Sequence, residues 1–148
     1  MKNNKVMIAA GAAAVIVLAV LSFLWVYNRH KEIEAQKSPS GVFKRFNNAL
    51  LSGNIQEAWS FLSEKSVKNA VNFDNFKEKA EKLLKNEEYK AELKSTQVAE
   101  EKKDGDKIIL KIKYAGSGNQ QDMRTGTIVM VNEKGVWKID FTASSSED

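Results

Sequence analysis

The chain has 148 residues, a formal net charge of +4, no cysteine and a single histidine. This length is enough for about one domain. The lack of cysteine excludes disulfides, thiolate chemistry, cysteine-ligated zinc and lipidation of an N-terminal cysteine. Because His30 has no companion ligands of the kind that a metal site needs, we predict neither a metal nor another cofactor.

Basic charge is concentrated in the first quarter of the chain. Five basic and two acidic residues precede Ser38, whereas the remainder carries 18 basic and 17 acidic residues. A nucleic-acid binder concentrates basic charge in its folded domain. The nearly neutral remainder therefore argues against nucleic acid as a partner.

Residues 6–27 form a stretch of 22 residues without a charge. As a helix it would extend about 33 Å, enough to cross a hydrocarbon core of about 30 Å. The stretch is longer than the apolar region of a signal peptide, and no clear cleavage site follows it. We therefore predict an uncleaved transmembrane anchor, with the lipid bilayer as a partner, in preference to a cleaved signal peptide.

The flanks of this stretch suggest how it is oriented. Residues 1–5 contain two lysines and are predicted to form a cytoplasmic tail, which places the domain outside the cytoplasm. Basic residues also follow the span, so the opposite orientation is the alternative. Residues 28–37 are predicted to be a juxtamembrane linker. Four residues are expected at the membrane interface: Trp25, Tyr27, Arg29 and Lys31.

Small residues within the predicted span are spaced so that two helices could approach closely. Ala9 and Ala13, like Ala10 and Ala14, follow the small-xxx-small pattern of associating membrane helices. This spacing allows self-association, although alanine facing lipid is the simpler interpretation.

Three helices are predicted in the first half of the domain. Apolar residues recur at helical spacing over Pro39–Leu51, and Asn54 begins a second helix with Glu57 at the capping-box position. A third helix is predicted over Phe73–Glu88. Ser63–Asn72 is expected to be a polar connection, with at most one helical turn.

Four strands are predicted in the second half, where the apolar period changes from helical to alternating. A bulge near Ser95 would explain a change of phase in the first strand. Turn signals occur at Asp104-Gly105 and over Asn132–Gly135. Residues 142–148 are predicted to be a disordered tail. The predicted strands cover Tyr89–Val98, Ile108–Tyr114, Met123–Val131 and Trp137–Phe141.

Helices that precede strands indicate an α+β fold, with the helices packed on one face of an antiparallel sheet. Three features of the sequence carry a resemblance to a known family. They are two helices joined by Ser52-Gly53-Asn54, the segment Phe73-Asp74-Asn75-Phe76 and the closing segment Gly135–Ile139. Residues 38–141 resemble the nuclear-transport-factor-2-like (NTF2-like) superfamily. This resemblance implies a cone-like domain of three helices on a curved four-stranded antiparallel sheet.

The resemblance is strongest to small bacterial membrane-anchored members of unknown function, and extends to assembly subunits of type IV secretion systems. Some superfamily members are isomerases or dehydratases with acidic, tyrosine or histidine groups inside the cone. Here Asp140 is expected to face solvent, and Tyr89 and Tyr114 to lie at the edge of the core. We therefore predict that the chain is not an enzyme.

These observations favour a membrane-anchored, extracytoplasmic, non-enzymatic binding or assembly module, whose partners are other membrane or envelope proteins. The alternatives are a subunit of a secretion or conjugation complex with the same fold, and a small cavity enzyme. The candidate contact residues are Tyr114, Met123 and Trp137, for which simple core packing is the competing interpretation.

Overall fold

The structure is a computed structural model that describes residues 37–69, 72–116 and 123–147, with side chains as far as residue 143. None of the helices in these ranges is both long and apolar enough to cross a membrane. The predicted span, residues 6–27, lies outside the described residues. So do its predicted interface residues Trp25, Tyr27, Arg29 and Lys31.

Within the described residues, five helices precede four strands. The strands form one antiparallel sheet in sequential order, which confirms the predicted α+β class and corrects the number of helices from three to five. The helices are α1 (Pro39–Leu51), α2 (Ile55–Ser60), α3 (Glu64–Asn69), α4 (Phe73–Leu84) and α5 (Glu87–Ser95). The strands are β1 (Gln97–Asp104), β2 (Lys107–Ala115), β3 (Met123–Glu133) and β4 (Val136–Glu147).

Polar side chains begin the first two helices, the second of them as predicted. Ser38 Oγ accepts a hydrogen bond from the amide of Gly41 at 3.1 Å, and proline stands at the start of α1, where no amide hydrogen is needed. Asn54 Oδ1 accepts from the amide of Glu57 at 3.3 Å, and its amide nitrogen donates back to the Glu57 carboxylate at 2.9 Å. These local contacts fix where α1 and α2 begin.

The prediction of a strand from Tyr89 onward is wrong, because α5 occupies residues 87–95. Asn86 Oδ1 accepts hydrogen bonds from the amides of Glu88 at 2.9 Å and Tyr89 at 3.3 Å, and this cap starts a new helix. The third predicted helix accordingly ends at Leu84. The expected bulge falls at Ala99, between Val98 and Glu100, and not near Ser95.

The fourth strand is longer than predicted, and the prediction of a disordered tail is wrong as far as Glu147. Its register against β3 places Asp140 opposite Val129 and Ser145 opposite Thr127. Residues 141–144 of β4 therefore lie against a single residue of β3, which makes a large bulge in the edge strand.

The core lies between the helices and one face of the sheet. Leu110, Met130 and Ile139 are fully buried on that face, and Met130 stands opposite Ile139 in the pairing of β3 with β4. The apolar residues of α1 cover the same face. The helices and the inner face of the sheet together form the walls of a cavity.

Candidate functional site

A cavity of about 330 Å³ lies between the helices and the inner face of the sheet. Its volume is near the lower end of the range typical of small-molecule pockets, about 300–1,000 Å³. All but a few of the side chains around it are apolar. The lining residues are Phe43, Phe46, Asn47 and Leu50 of α1, Phe76, Lys79, Ala80, Leu83 and Leu84 of α4, Tyr89 and Leu93 of α5, and Ile112, Ile128 and Phe141 of the sheet.

One face of α1 supplies the longest wall of this cavity. Phe43, Phe46, Asn47 and Leu50 stand at positions i, i+3, i+4 and i+7, and such residues lie on the same side of a helix. The ring of Phe46 meets the ring of Phe141 edge-on, with 5.6 Å between centroids. The apolar stripe from which α1 was predicted therefore packs in the core and also lines the cavity.

The mouth of the cavity is apolar and open to solvent. Leu83 is 46% exposed and Phe141 is 39% exposed, and both line the cavity. Exposed apolar side chains grouped at an opening are typical of a surface that receives a ligand or partner. Lys79, also exposed, brings a cation to this opening.

Two polar side chains face the interior of the cavity. Asn47 is only 7% exposed, and among the described residues none forms a hydrogen bond with its side-chain amide. Burial raises the pKa of Tyr89, and the nearby Glu92 carboxylate acts in the same direction. Tyr89 is therefore a neutral phenol at physiological pH, able to donate a hydrogen bond.

The three predicted contact residues do not line this cavity. Tyr114 and Met123 lie at one end of the β2–β3 pair, where Ala115 is opposite Met123. Trp137 is opposite Asn132, close to the other end of β3. Tyr114 and Trp137 pack against the core, whereas Met123 is 50% exposed. Their contact with a partner remains a prediction.

Asp140 is buried, contrary to the prediction that it faces solvent. It is 2% exposed, and its Oδ1 accepts hydrogen bonds from the amide of Thr142 at 3.0 Å and from the Thr142 hydroxyl. Burial acts to raise the pKa of this carboxyl, but the Thr142 donors and the Lys65 ammonium, 3.6 Å away, bring the pKa below its usual value. Asp140 is thus an ionised group that stabilises the bulge in β4 through its hydrogen bonds with Thr142.

Two serines beside Asp140 superficially resemble a nucleophilic site. Ser63 Oγ donates to Ser66 Oγ at 3.0 Å, and Ser66 Oγ also accepts from the amide of Phe141 at 2.9 Å. Both serines are fully buried, so no substrate reaches them. Among the described residues, no cluster of three acidic or histidine side chains is arranged to hold a metal.

The family of the chain follows from its match over most of the folded region. Residues 38–145 match the family described as the NTF2-like N-terminal transpeptidase domain. The chain belongs to this family, and the predicted membership of the NTF2-like superfamily is confirmed.

A solved structure from Campylobacter jejuni, named as an NTF2-like transpeptidase, is similar to this chain with a TM-score of 0.49 and 14% sequence identity. The similarity covers 69% of this chain and 96% of that one. No curated protein matches the chain.

Proposed function

We propose that this chain is a membrane-tethered, non-catalytic binding domain whose binding site is the cavity between the helices and the sheet. The observation that carries the proposal is the combination of a 330 Å³ apolar cavity with an apolar, solvent-exposed mouth. Transfer of apolar ligand surface from water into such a cavity is favourable at about 25 cal/mol per Å². The chemistry of the walls therefore favours binding of a largely apolar molecule.

The same walls argue against catalysis in the cavity. Tyr89 and Lys79 are the titratable residues that line it. A general acid or base works best with a pKa near the operating pH. Burial raises the pKa of Tyr89 and so moves it further from neutral pH. The cavity thus lacks a pair of groups suited to proton transfer.

The family name includes transpeptidase, and acyl transfer requires an activated nucleophile. Penicillin-binding transpeptidases carry the nucleophile in a Ser-x-x-Lys motif, which does not occur in this sequence. Ser63 and Ser66, which lie beside the Asp140 carboxylate, are fully buried. These features support a binding role for the domain in preference to acyl transfer.

The proposed tether is the uncharged stretch at residues 6–27. A tether of this kind would hold the domain at the membrane surface and raise its effective concentration toward ligands and partners there. In the proposed orientation the domain lies outside the cytoplasm, where membrane and envelope proteins are available as partners.

Protection of a single thiol tests binding in the cavity. The chain has no cysteine, so Leu83→Cys creates a unique thiol at the mouth. With the full chain in lipid nanodiscs, we expect dodecanol to slow labelling of this thiol by a hydrophilic reagent. The matched control is Ala91→Cys on α5, which is exposed and outside the cavity lining and should be labelled at the same rate throughout.

Equal labelling of Leu83→Cys with and without dodecanol, at concentrations that saturate the nanodisc lipid, would contradict the proposal. Equal slowing at Leu83→Cys and Ala91→Cys would also contradict it, because a change common to both sites arises from the membrane and not from the cavity.

A further inference from the structure

Asn47 places a carboxamide on an otherwise apolar wall. The side chain carries two N–H donors and a carbonyl acceptor, and among the described residues it has no hydrogen-bond partner. A pure hydrocarbon filling the cavity would remove the remaining water from this amide and leave it unpaired, which is unfavourable. The ligand should therefore carry a hydrogen-bonding group within its apolar part.

Lys79 adds a second requirement at the mouth. Among the described residues no carboxylate forms an ion pair with it, whereas Lys77 on the same helix lies 3.9 Å from Glu81. A cation at the opening of a low-polarity cavity attracts anions and repels cations. The end of the ligand that remains near solvent should therefore be acidic.

The apolar lining sets the third requirement. Phe46, Leu50, Leu93 and Ile112 surround the interior without a further charge among them. A volume of about 330 Å³ suits one hydrocarbon chain better than the paired chains of a bilayer lipid. The exposed side chains of Leu83 and Phe141 extend the apolar contact to the mouth.

From these three requirements we infer that the cavity binds a single acyl chain joined through an amide or ester linkage to an acidic head group. The linkage meets the Asn47 amide, the head group meets the Lys79 ammonium, and the chain fills the apolar interior. This inference rests on the proposed function and adds to it the chemical class of the ligand.

Four ligands separate the contributions in the Leu83→Cys protection assay. N-dodecanoylglycine has both the amide linkage and the acid, N-dodecanoylglycinamide has only amide groups, dodecanoate has only the acid, and dodecanol has neither. For each ligand, the affinity of a variant is compared with that of the parent Leu83→Cys protein. Partitioning of the ligand into lipid is the same in both measurements and therefore cancels. We expect N-dodecanoylglycine to protect Leu83→Cys at the lowest concentration.

The Asn47 contact is tested by Asn47→Leu, which keeps a side chain of similar size. We expect the affinity for N-dodecanoylglycine to fall about five- to tenfold, the usual effect of one hydrogen bond, while the affinity for dodecanoate is unchanged or rises. Protection by dodecanol in this variant shows that the cavity is intact.

The Lys79 contact is tested by Lys79→Gln. Affinity for both acids should fall about two- to fivefold, as for a solvent-exposed ion pair, and that for both neutral ligands should not change. Lys77→Gln on the same helix is the matched control and should leave all four affinities unchanged, since Lys77 does not line the cavity.

If the four ligands keep the same relative affinities in Asn47→Leu and Lys79→Gln, the inferred ligand class is wrong, although protection by dodecanol would still support the proposed function. If no ligand protects Leu83→Cys, the proposed function and the inferred ligand class both fail.

Discussion

At the scale of single residues, Asp140 shows how a carboxylate can be buried for a structural reason. Its neighbours Ile139 and Phe141 point to the inner face, so alternation predicted an exposed side chain. The bulge that follows instead turns Thr142 back toward Asp140, where the amide and hydroxyl of Thr142 donate to one carboxylate oxygen. This buried acid next to two serines therefore stabilises the bulge of the strand.

Asp140→Ala should lower the free energy of unfolding by about 1–3 kcal/mol at neutral pH, because it leaves the Thr142 donors without their acceptor. Asp140→Asn keeps an acceptor oxygen and should cost less. Urea unfolding followed by tryptophan fluorescence measures both changes. Asp106→Asn, in the exposed β1–β2 turn, is the control and should leave stability unchanged.

The pH dependence of stability provides an independent test of Asp140. Its folded-state pKa lies below the usual value of about 3.9, so its contribution is present above about pH 4 and is lost as pH falls through the folded-state pKa. The stability difference between the wild type and Asp140→Asn should therefore shrink on acidification. A difference that stays constant down to pH 2 would show that the carboxylate charge contributes nothing.

At the scale of elements, the segment from Phe61 into α3 covers part of the outer edge of β4. The amide of Ile139 donates to the carbonyl of Phe61 and its carbonyl accepts from the amide of Ser63, both at 2.9 Å. Ser66 Oγ then accepts from the amide of Phe141. These contacts occupy backbone groups that an exposed edge strand would offer to other chains.

Ser66→Ala should lower the free energy of unfolding by about 1–3 kcal/mol, since it removes the acceptor of the part-buried Phe141 amide and the donor to the Ile139 carbonyl. Hydrogen exchange at this amide should accelerate in the variant. Ser60→Ala is the matched control, because Ser60 is exposed and its hydroxyl donates only within its own helix, to the carbonyl of Glu57. Unchanged exchange at Phe141 would contradict this account of the edge.

The elements that the sequence predicted correctly are those set by local signals. α1 has the predicted bounds because Ser38-Pro39 starts it and a 3.6-residue stripe continues through it. α5 was mistaken for a strand because Tyr89, Ala91 and Leu93 alternate, while Tyr89 and Leu93 are also i and i+4 on a helix. In so short a segment only the Asn86 cap separates the two interpretations.

The candidate site was harder to predict than the fold. Its walls come from α1, α4, α5 and three strands, and no local pattern reports how these segments come together. Asn47 can be recognised in the sequence, because it is a polar residue within the apolar stripe of α1. Lys79 cannot be recognised in this way, because it belongs to a helix face that carries several lysines and glutamates.

At the scale of the whole molecule, we propose that a ligand-binding domain is joined to a membrane tether. The full chain should sediment with membranes, and a variant with charges placed at Leu18 and Val20, in the middle of the span, should move to the soluble fraction. Charged residues at the centre of a membrane helix are unfavourable by about 2.5–3.5 kcal/mol each. Sedimentation that is unaffected by these charges would contradict the proposed tether.

The central claim, that the apolar cavity is the binding site, is tested most directly by filling it. Ala80 lines the cavity, so Ala80→Phe should raise the unfolding temperature of the full chain in nanodiscs through added apolar contact. A ligand that binds the folded state raises the unfolding temperature further. We predict that N-dodecanoylglycine stabilises the wild type and Ala91→Phe, but not Ala80→Phe; equal stabilisation of all three would contradict the claim.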